Sequence, residues 1–481
     1  MFITKSSNRT GDVTSVVIYG AWMTKAFDAI IIGAGQAGPS LAGRLTGAGM
    51  NVLMVERKLF GGTCVNTGCM PTKTLVASAY AAHLARRSAD FGVIIDTPVG
   101  IDMRRIKERA DTVTHNARTG VENYLRGMQN CTVIQGHARF TGPRMIEIDG
   151  EAFAAERIFI NVGGRANVPA MPGINDVDIL TNTSMLALDR VPKHLVVVGG
   201  SYIGLEFAQM YRRFGAEVTI VEKGPRLISR EDEDVSEAIK GIIEGEGISI
   251  RLDAECISFK RHSEGAEVGV DCRAGSPTVI GSDVLLAIGR RPNTDDLGLE
   301  RAGIETDDRG YIQVNDGLET NVAGVWALGD CNGRGAFTHT AYNDFEIIAA
   351  NLLDGADRKV SDRILGYALY IDPPLGRVGL TEAQARKTGR PTLISKRPMT
   401  RVGRAVEKDE TQGFMKVLAD ADTQKILGAA ILGTGGDEAI HGILDIMNVD
   451  ATYAQLKWAV PIHPTVSELI PTLLGDLKEA N

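Results

Sequence analysis

The stretch 27-FDAIIIGAGQAGPSLAGRLTGAGMNVLMVER-57 decides the fold. An apolar run ends at Ile32, the chain turns through Gly33, Gly35 and Gly38, and small and apolar residues follow with the periodicity of an amphipathic helix. A second apolar run then closes on Glu56. Strand, glycine turn, helix, strand and acid are the parts of a dinucleotide-binding βαβ unit. Glycine lets the backbone approach a pyrophosphate, the helix N-terminus offers N–H groups and a positive dipole end, and the acid accepts from ribose hydroxyls.

A second stretch, 194-HLVVVGGSYIGLEFAQMYRRFGAEVTIVEK-223, repeats the plan. Glu222 follows Gly199, and Glu56 follows Gly33, at the same interval of 23 residues. Its turn reads Gly199, Gly200, Ser201, Tyr202, Ile203, Gly204, with serine in place of the middle glycine. Serine is small enough for close approach. Two such units in one chain imply two dinucleotide sites. At the second, Glu222 accepts from a free 2′-hydroxyl and repels a 2′-phosphate, which favours NADH, while Lys223 and Arg226 nearby leave NADPH as an option.

With 481 residues the chain exceeds one hydrophobic core, so about three domains are expected. A net charge of -8 argues against nucleic acid or an anionic membrane as the main partner. No apolar run reaches the roughly 18 residues that span a bilayer, and six cysteines form no disulfide scaffold, so a reducing, cytoplasmic setting is expected. Residues 1–22 read as an N-terminal extension, with the folded protein starting at Met23.

In that setting 61-GGTCVNTGCMPTK-73 stands out. Its Cys64 and Cys69 form a C-x4-C pair, for which a functional role outweighs a structural one. Five residues of regular helix rise about 7.5 Å, beyond the roughly 7 Å Cα limit of a disulfide, so the segment is not simple helix, and Gly68 supplies freedom. Pro71 suits a first helical turn, placing Cys69 at a helix N-terminus that favours its thiolate. No further ligands follow closely, so a metal site is not expected.

The two glycine turns, the C-x4-C, the Gly-Asp turn in 327-ALGD-330 and the late 463-HPT-465 occur in this order. Together they make the chain resemble the FAD-dependent pyridine nucleotide–disulfide oxidoreductases, the family of dihydrolipoamide dehydrogenase, glutathione reductase and mercuric reductase, from Lys25 to Leu477. The resemblance implies an α/β fold of two Rossmann-like domains plus a C-terminal α+β dimerisation domain. The implied divisions are 23–165 and 295–365 for FAD, 166–294 for NAD(P) and 366–481 for the interface. It implies FAD against Gly33, Gly35, Gly38, Glu56, Gly62, Thr63, Lys73, Gly163, Asp330 and His339, with 338-THTA-341 as a helix start near the flavin. It implies NAD(P)H against Gly199 to Gly204, Glu222 and Gly289. Cys64 and Cys69 match the redox disulfide, Cys69 facing flavin and Cys64 the acceptor. Lys73 and Glu206 match an ion pair beside the flavin, and His463 and Glu468 match an acid–base pair serving the other subunit of a homodimer. Cys131, Cys256, Cys272 and Cys331 read as small buried or partly buried thiols without a role.

The acceptor is less constrained. The Ser201 turn and 404-RAVEKDETQGFMKV-417 resemble mercuric reductase, but with a tail reading LLGDLKEAN neither that enzyme's C-terminal cysteine pair nor its leading metal-binding domain is expected. A small disulfide or dithiol of the lipoyl kind therefore ranks first. A metal ion such as Hg(II) or Cu(II) ranks second, and a nucleotide-responsive flavoprotein without dedicated turnover ranks third.

Overall fold

The computed structural model describes residues 3–4, 16–19, 22–255, 257–270 and 277–479. Its chain contacts divide into two units. The first comprises 1–72, 108–167 and 289–363; the second comprises 73–107, 168–288 and 364–481. The helix Cys69–Arg86 is divided between them after Thr72.

In the first unit, strand Trp22–Ile32 lies parallel to Val52–Glu56 on one side and Glu151–Ile160 on the other. Cys131–Gln135 and Val325–Ala327 extend the parallel layer at its two ends. Alternate residues of a strand face opposite sides. Ile30, Ile32, Leu53 and Val55 enter one core with Ile158 and Ile160. Ala29, Ile31, Val52 and Met54 enter another, under the helices Ala37–Gly47 and Thr338–Leu353. Burial on both faces explains why these strands read as unbroken apolar runs rather than alternating ones. Each fully buried Ile or Leu contributes about 1.5–3 kcal/mol.

The second unit carries a parallel sheet in the order Ile179–Leu180, Asp283–Leu286, His194–Val198, Glu217–Val221, Ser249–Arg251. The antiparallel strands Ser258–His262, Gly265–Gly269 and Thr278–Gly281 cover one of its faces, packing Phe259 and Val268 against Val196, Val198 and Val284. The unit also contains an antiparallel sheet that includes Leu375–Gly379, Ile426–Leu432, Phe414–Asp420 and Thr392–Pro398, backed by the helices His441–Asn448 and Ile470–Gly475. The fold is the α/β one expected, with two parallel sheets and a C-terminal α+β portion.

The two glycine turns are built alike. Gly33 has φ +107° and Gly199 φ +115°, and a Cβ on either would stand 2.3 Å from the Asn161 carbonyl oxygen or 2.5 Å from that of Ala287. Both oxygens belong to the residue just past the neighbouring parallel strand. Only glycine fits such a position.

Candidate active site

In the first unit, Glu56 Oε2 accepts the Ala34 N–H at 2.9 Å and Oε1 accepts the Lys58 N–H at 2.8 Å. Two backbone donors fix the carboxylate as an acceptor at the end of its strand. A Cβ on Gly62 would stand 2.8 Å from the Gly35 Cα, and one on Gly38 would stand 2.4 Å from the Gly33 oxygen. The turn is thus glycine wherever backbone meets backbone. The helix Ala37–Gly47 has no side-chain cap, so its first N–H groups face the turn. These features fit a pyrophosphate and an adenosine ribose.

The sequence after Phe60 forms a short helix, Gly62–Asn66, which breaks at Thr67 before the long helix starts at Cys69. Asn66 Nδ2 ties the short helix down by donating to the Phe60 and Gly62 oxygens at 2.8 and 2.9 Å. The expected break at Gly68 is there, but its cause differs from conformational freedom. Gly68 is not at positive φ, and a Cβ would lie 2.9 Å from the Thr63 carbonyl oxygen. Cys64 is half-buried and Cys69 exposed. The Cys69 Sγ lies 3.2 Å from Thr338 Oγ1, at the start of the helix Thr338–Leu353.

Asp330 sits in the turn Gly329–Asn332. Burial pushes its carboxyl above the ordinary range, and Arg290, with Nε at 3.6 Å, only partly counters this. A carboxyl whose charged form burial disfavours suits a hydroxyl donor such as a ribitol. Arg290 also donates to the Gly164 oxygen and to Thr63 Oγ1, the latter at 3.4 Å. The segments Gly164–Ala166 and Arg290–Pro292 pair as antiparallel strands, while Gly163 and Gly289 take φ of +64° and +111°. His339 stacks on Phe337, with ring centroids 5.4 Å apart. Buried Asp344 accepts from the Gly329 N–H at 2.8 Å and from Asn332 at 2.9 Å, orienting the Gly-Asp turn. Sequence reasoning missed Arg290 and Asp344. For Arg290 the signal was its place next to Gly289; for Asp344 there was none.

In the second unit, Gly200 N–H donates to Glu222 Oε2 at 2.6 Å and Gly224 N–H to Oε1 at 2.7 Å, the same clasp as on Glu56. Ser201 caps the helix Tyr202–Phe214 in extended conformation, without a side-chain cap bond. A Cβ on Gly204 would meet the Gly199 oxygen at 2.0 Å. Half-buried Tyr202 sends its hydroxyl toward Glu231 Oε1 at 3.4 Å and meets the Tyr367 ring edge-on at 5.5 Å, while Ile203 is also half-buried. Burial raises the Tyr202 phenol far above its ordinary value. These residues fit a second dinucleotide.

Lys73 Nζ meets Glu206 Oε2 at 2.6 Å. The other Glu206 oxygen accepts the Tyr370 N–H at 3.0 Å, and the Tyr370 ring lies 4.6 Å from the ammonium. His463 Nδ1 and Glu468 Oε2 are 2.9 Å apart, with the imidazole 79% exposed and the carboxylate 14% exposed. A carboxylate on Nδ1 leaves Nε2 as the atom that exchanges a proton with a ligand.

Of the remaining cysteines, Cys131 is half-buried and Cys331 fully buried; burial pushes their thiols up to about 11 and about 12. Cys256 and Cys272 lie outside the described residues. Among the described residues, no three His, Cys, Asp or Glu side chains are grouped to hold a metal ion, and no helix is long and apolar enough to cross a membrane.

Comparison with known proteins places these features together. The profile of the pyridine nucleotide-disulphide oxidoreductases matches residues 27–344, and that of the family's dimerisation domain matches 366–474. The chain is 35% identical to the probable pyridine nucleotide-disulfide oxidoreductase RclA of Escherichia coli K12, over 94% of this chain and 99% of that one. It is 33% identical to the dihydrolipoyl dehydrogenase of Thermus scotoductus, over 92% and 96%, and 33% identical to the mercuric reductase of Streptomyces lividans, over 92% and 94%. The solved Cu(II) complex of the HOCl-induced flavoprotein disulfide reductase RclA from E. coli superposes with a TM-score of 0.85 at 33% identity, covering 94% of this chain and 99% of that one. The chain belongs to the pyridine nucleotide–disulfide oxidoreductase family, FAD-dependent NAD(P)H oxidoreductases that act on sulfur groups.

Proposed function

We propose that the protein reduces, or in reverse oxidises, a small disulfide or dithiol of the lipoyl kind through Cys64 and Cys69. The observation that carries this reading is the 2.9 Å contact of His463 with Glu468, because thiol–disulfide exchange needs an acid–base group beside it and a carboxylate-held imidazole supplies one. FAD, when bound, would supply the two-electron relay between the nicotinamide and the cysteine sulfurs. Gly33, Gly35, Gly38, Glu56, Gly62, Thr63, Gly163, Asp330 and His339 hold the flavin nucleotide in this reading. The segment Gly199–Gly204 and Glu222 hold the coenzyme. The Lys73–Glu206 pair holds a fixed charge on the helix that Cys69 begins.

The Cys64 thiolate attacks the acceptor's S–S bond, forming a mixed disulfide and expelling one thiolate, which His463 protonates. The Cys69 thiolate then attacks the Cys64 sulfur, restores the Cys64–Cys69 bond and expels the second thiolate, which takes its proton from water. His463 of one protomer serves the cysteines of its partner in a homodimer. Support comes from the matched dimerisation domain and from Trp458, Val460 and Ile462 just before His463, which are 81%, 96% and 79% exposed in the single chain. NADH is the preferred coenzyme, because the Glu222 carboxylate is clasped as an acceptor where a 2′-phosphate would lie. The cytoplasm is the setting in which these thiols would cycle.

A metal-ion acceptor is the second reading, favoured by likeness to a mercuric reductase and to a protein solved with Cu(II). Steady-state NADH oxidation with lipoamide, glutathione disulfide, cystine, Hg(II), Cu(II) and quinones separates the two. The highest kcat/KM is expected with lipoamide. A metal ion outrunning every disulfide by about tenfold, some 1.4 kcal/mol in the barrier, would replace the first reading with the second.

A further inference from the structure

We propose that Thr338 is a catalytic residue of the sulfur chemistry, whose hydroxyl donates to the Cys69 thiolate and holds that sulfur ionised. The proposal rests on the reading of Cys69 as a redox sulfur and adds what sets its ionisation. The Cys69 Sγ and Thr338 Oγ1 stand 3.2 Å apart although 269 residues separate them. While the sulfur is protonated, either atom can donate. Once it is a thiolate, only the hydroxyl can, so the bond is strongest for the charged form and lowers the thiol's pKa.

The two atoms are also placed by the same device. Cys69 is the first residue of the helix Cys69–Arg86 and Thr338 the first of the helix Thr338–Leu353, so two positive dipole ends converge on one sulfur. Thr338 is well fixed for the task. Thr340, buried in the same first turn, accepts the Phe337 N–H at 3.1 Å and donates to the Phe337 oxygen at 2.8 Å, locking the helix start. Asp344, farther along the same helix, is anchored to the Gly329 N–H at 2.8 Å. A β-branched side chain adds a restricted χ1. The titratable and charged groups on the elements that carry or pack against the contact are Cys64; Lys73, Tyr80, His83 and Arg86; Asp330 and Cys331; His339, Tyr342, Asp344 and Glu346; and Arg44; a change at Thr338 alone alters none of them.

The test uses holoenzyme carrying Cys64→Ser, so that Cys69 is the remaining sulfur of the pair. Its ionisation is followed with pH by the long-wavelength thiolate–flavin absorbance, and independently by the rate of Cys69 alkylation with iodoacetamide, mapped by peptide mass spectrometry. Thr338→Val, which keeps the shape and removes the donor, is expected to raise the apparent pKa by about one unit, the usual scale of one hydrogen bond to a charged form. Thr338→Ser is expected to restore it. A Thr338→Val profile that coincides with the parent overturns the role of Thr338. A parent that shows no Cys69 ionisation by either readout overturns instead the reading of Cys69 as redox sulfur. If the valine variant binds flavin poorly, the alkylation profile, which needs no flavin, decides by the same criterion.

Discussion

The two βαβ units share a frame down to single hydrogen bonds. Ala34 and Gly200 donate to Glu56 and Glu222, and Lys58 and Gly224 donate to the same two carboxylates. The Gly61 and Ile228 N–H groups then return to the Ala34 and Gly200 oxygens at 2.8 and 2.9 Å. Beyond that return the two units diverge. In the first the chain enters the short helix with Cys64 and then the helix with Cys69. In the second it enters Glu231 and Asp232, which are buried against Arg377 and Lys416, with Asp234 beside them. One frame is thus built twice, and what differs is its continuation: a helix carrying cysteine in the first, a cluster of buried charges in the second.

The largest expected effect concerns that cluster. Lys416 is 1% exposed and bonds Asp234 at 2.7 Å and Asp232 at 2.9 Å. Lys416→Met takes the shared ammonium from both acids, leaving Asp234 with Lys396 at 2.7 Å and Asp232 with Arg377 at 3.5 Å, and should cost about 3 kcal/mol in thermal or urea unfolding of the holoenzyme, the low end for breaking a buried pair. Acid should act at the same place. Burial alone would raise both carboxyls. Lys416, Arg377 and the Glu382 N–H together outweigh it at Asp232, Lys396 and Lys416 outweigh it at Asp234, and both pKa values end below the ordinary range. Stability from a depressed carboxylate is complete above the unfolded value of about 3.9 and is lost as pH falls through the folded values. Unfolding scans below pH 4 should therefore show the parent losing stability that the methionine variant already lacks.

Next come the paired glycines. Gly33→Ala pushes a Cβ into the Asn161 carbonyl, and Gly199→Ala pushes one into that of Ala287. The first should purify with little FAD. The second should keep FAD and raise the KM for NADH about 100-fold, some 2.7 kcal/mol. If both lose the same nucleotide, the two units are not separate sites. Smaller again is Glu222→Arg, expected to shift the NADPH-to-NADH ratio of kcat/KM upward by about tenfold; an unchanged ratio removes Glu222 from coenzyme choice. Smallest is Ser201→Gly. With no side-chain cap bond to lose, it should cost only a few tenths of a kcal/mol of helix stability and leave the KM for NADH within about threefold.

Most of the frame was legible in the sequence because it depends on local spacing. Glycine at a fixed interval from an acid, between apolar runs, has few other structural solutions. The Lys73–Glu206 and His463–Glu468 contacts were read through resemblance, and the structure brings each pair together. Contacts between distant segments were not legible. The resemblance puts Cys69 and 338-THTA-341 both near the flavin but not in contact with each other, and the place of Arg290 beside Gly289 does not announce its contacts with Thr63 and Asp330. Lys416 in 413-GFMKVLAD-420 invites a solvent-facing position on an alternating strand. Strand Phe414–Asp420 is instead buried throughout, because acids from another segment neutralise the lysine. Gly68 was located correctly, but its cause, the approach of Thr63, lies in the tertiary structure.

The central claim is that the continuation of the first unit, and not of the second, receives the electrons. Anaerobic titration of the holoenzyme with NADH, followed by alkylation and peptide mapping, tests it directly. The account predicts two new thiols per flavin, at Cys64 and Cys69, with Cys131 and Cys331 unchanged. Full reduction of the flavin with no gain of thiol at Cys64 and Cys69 would contradict it.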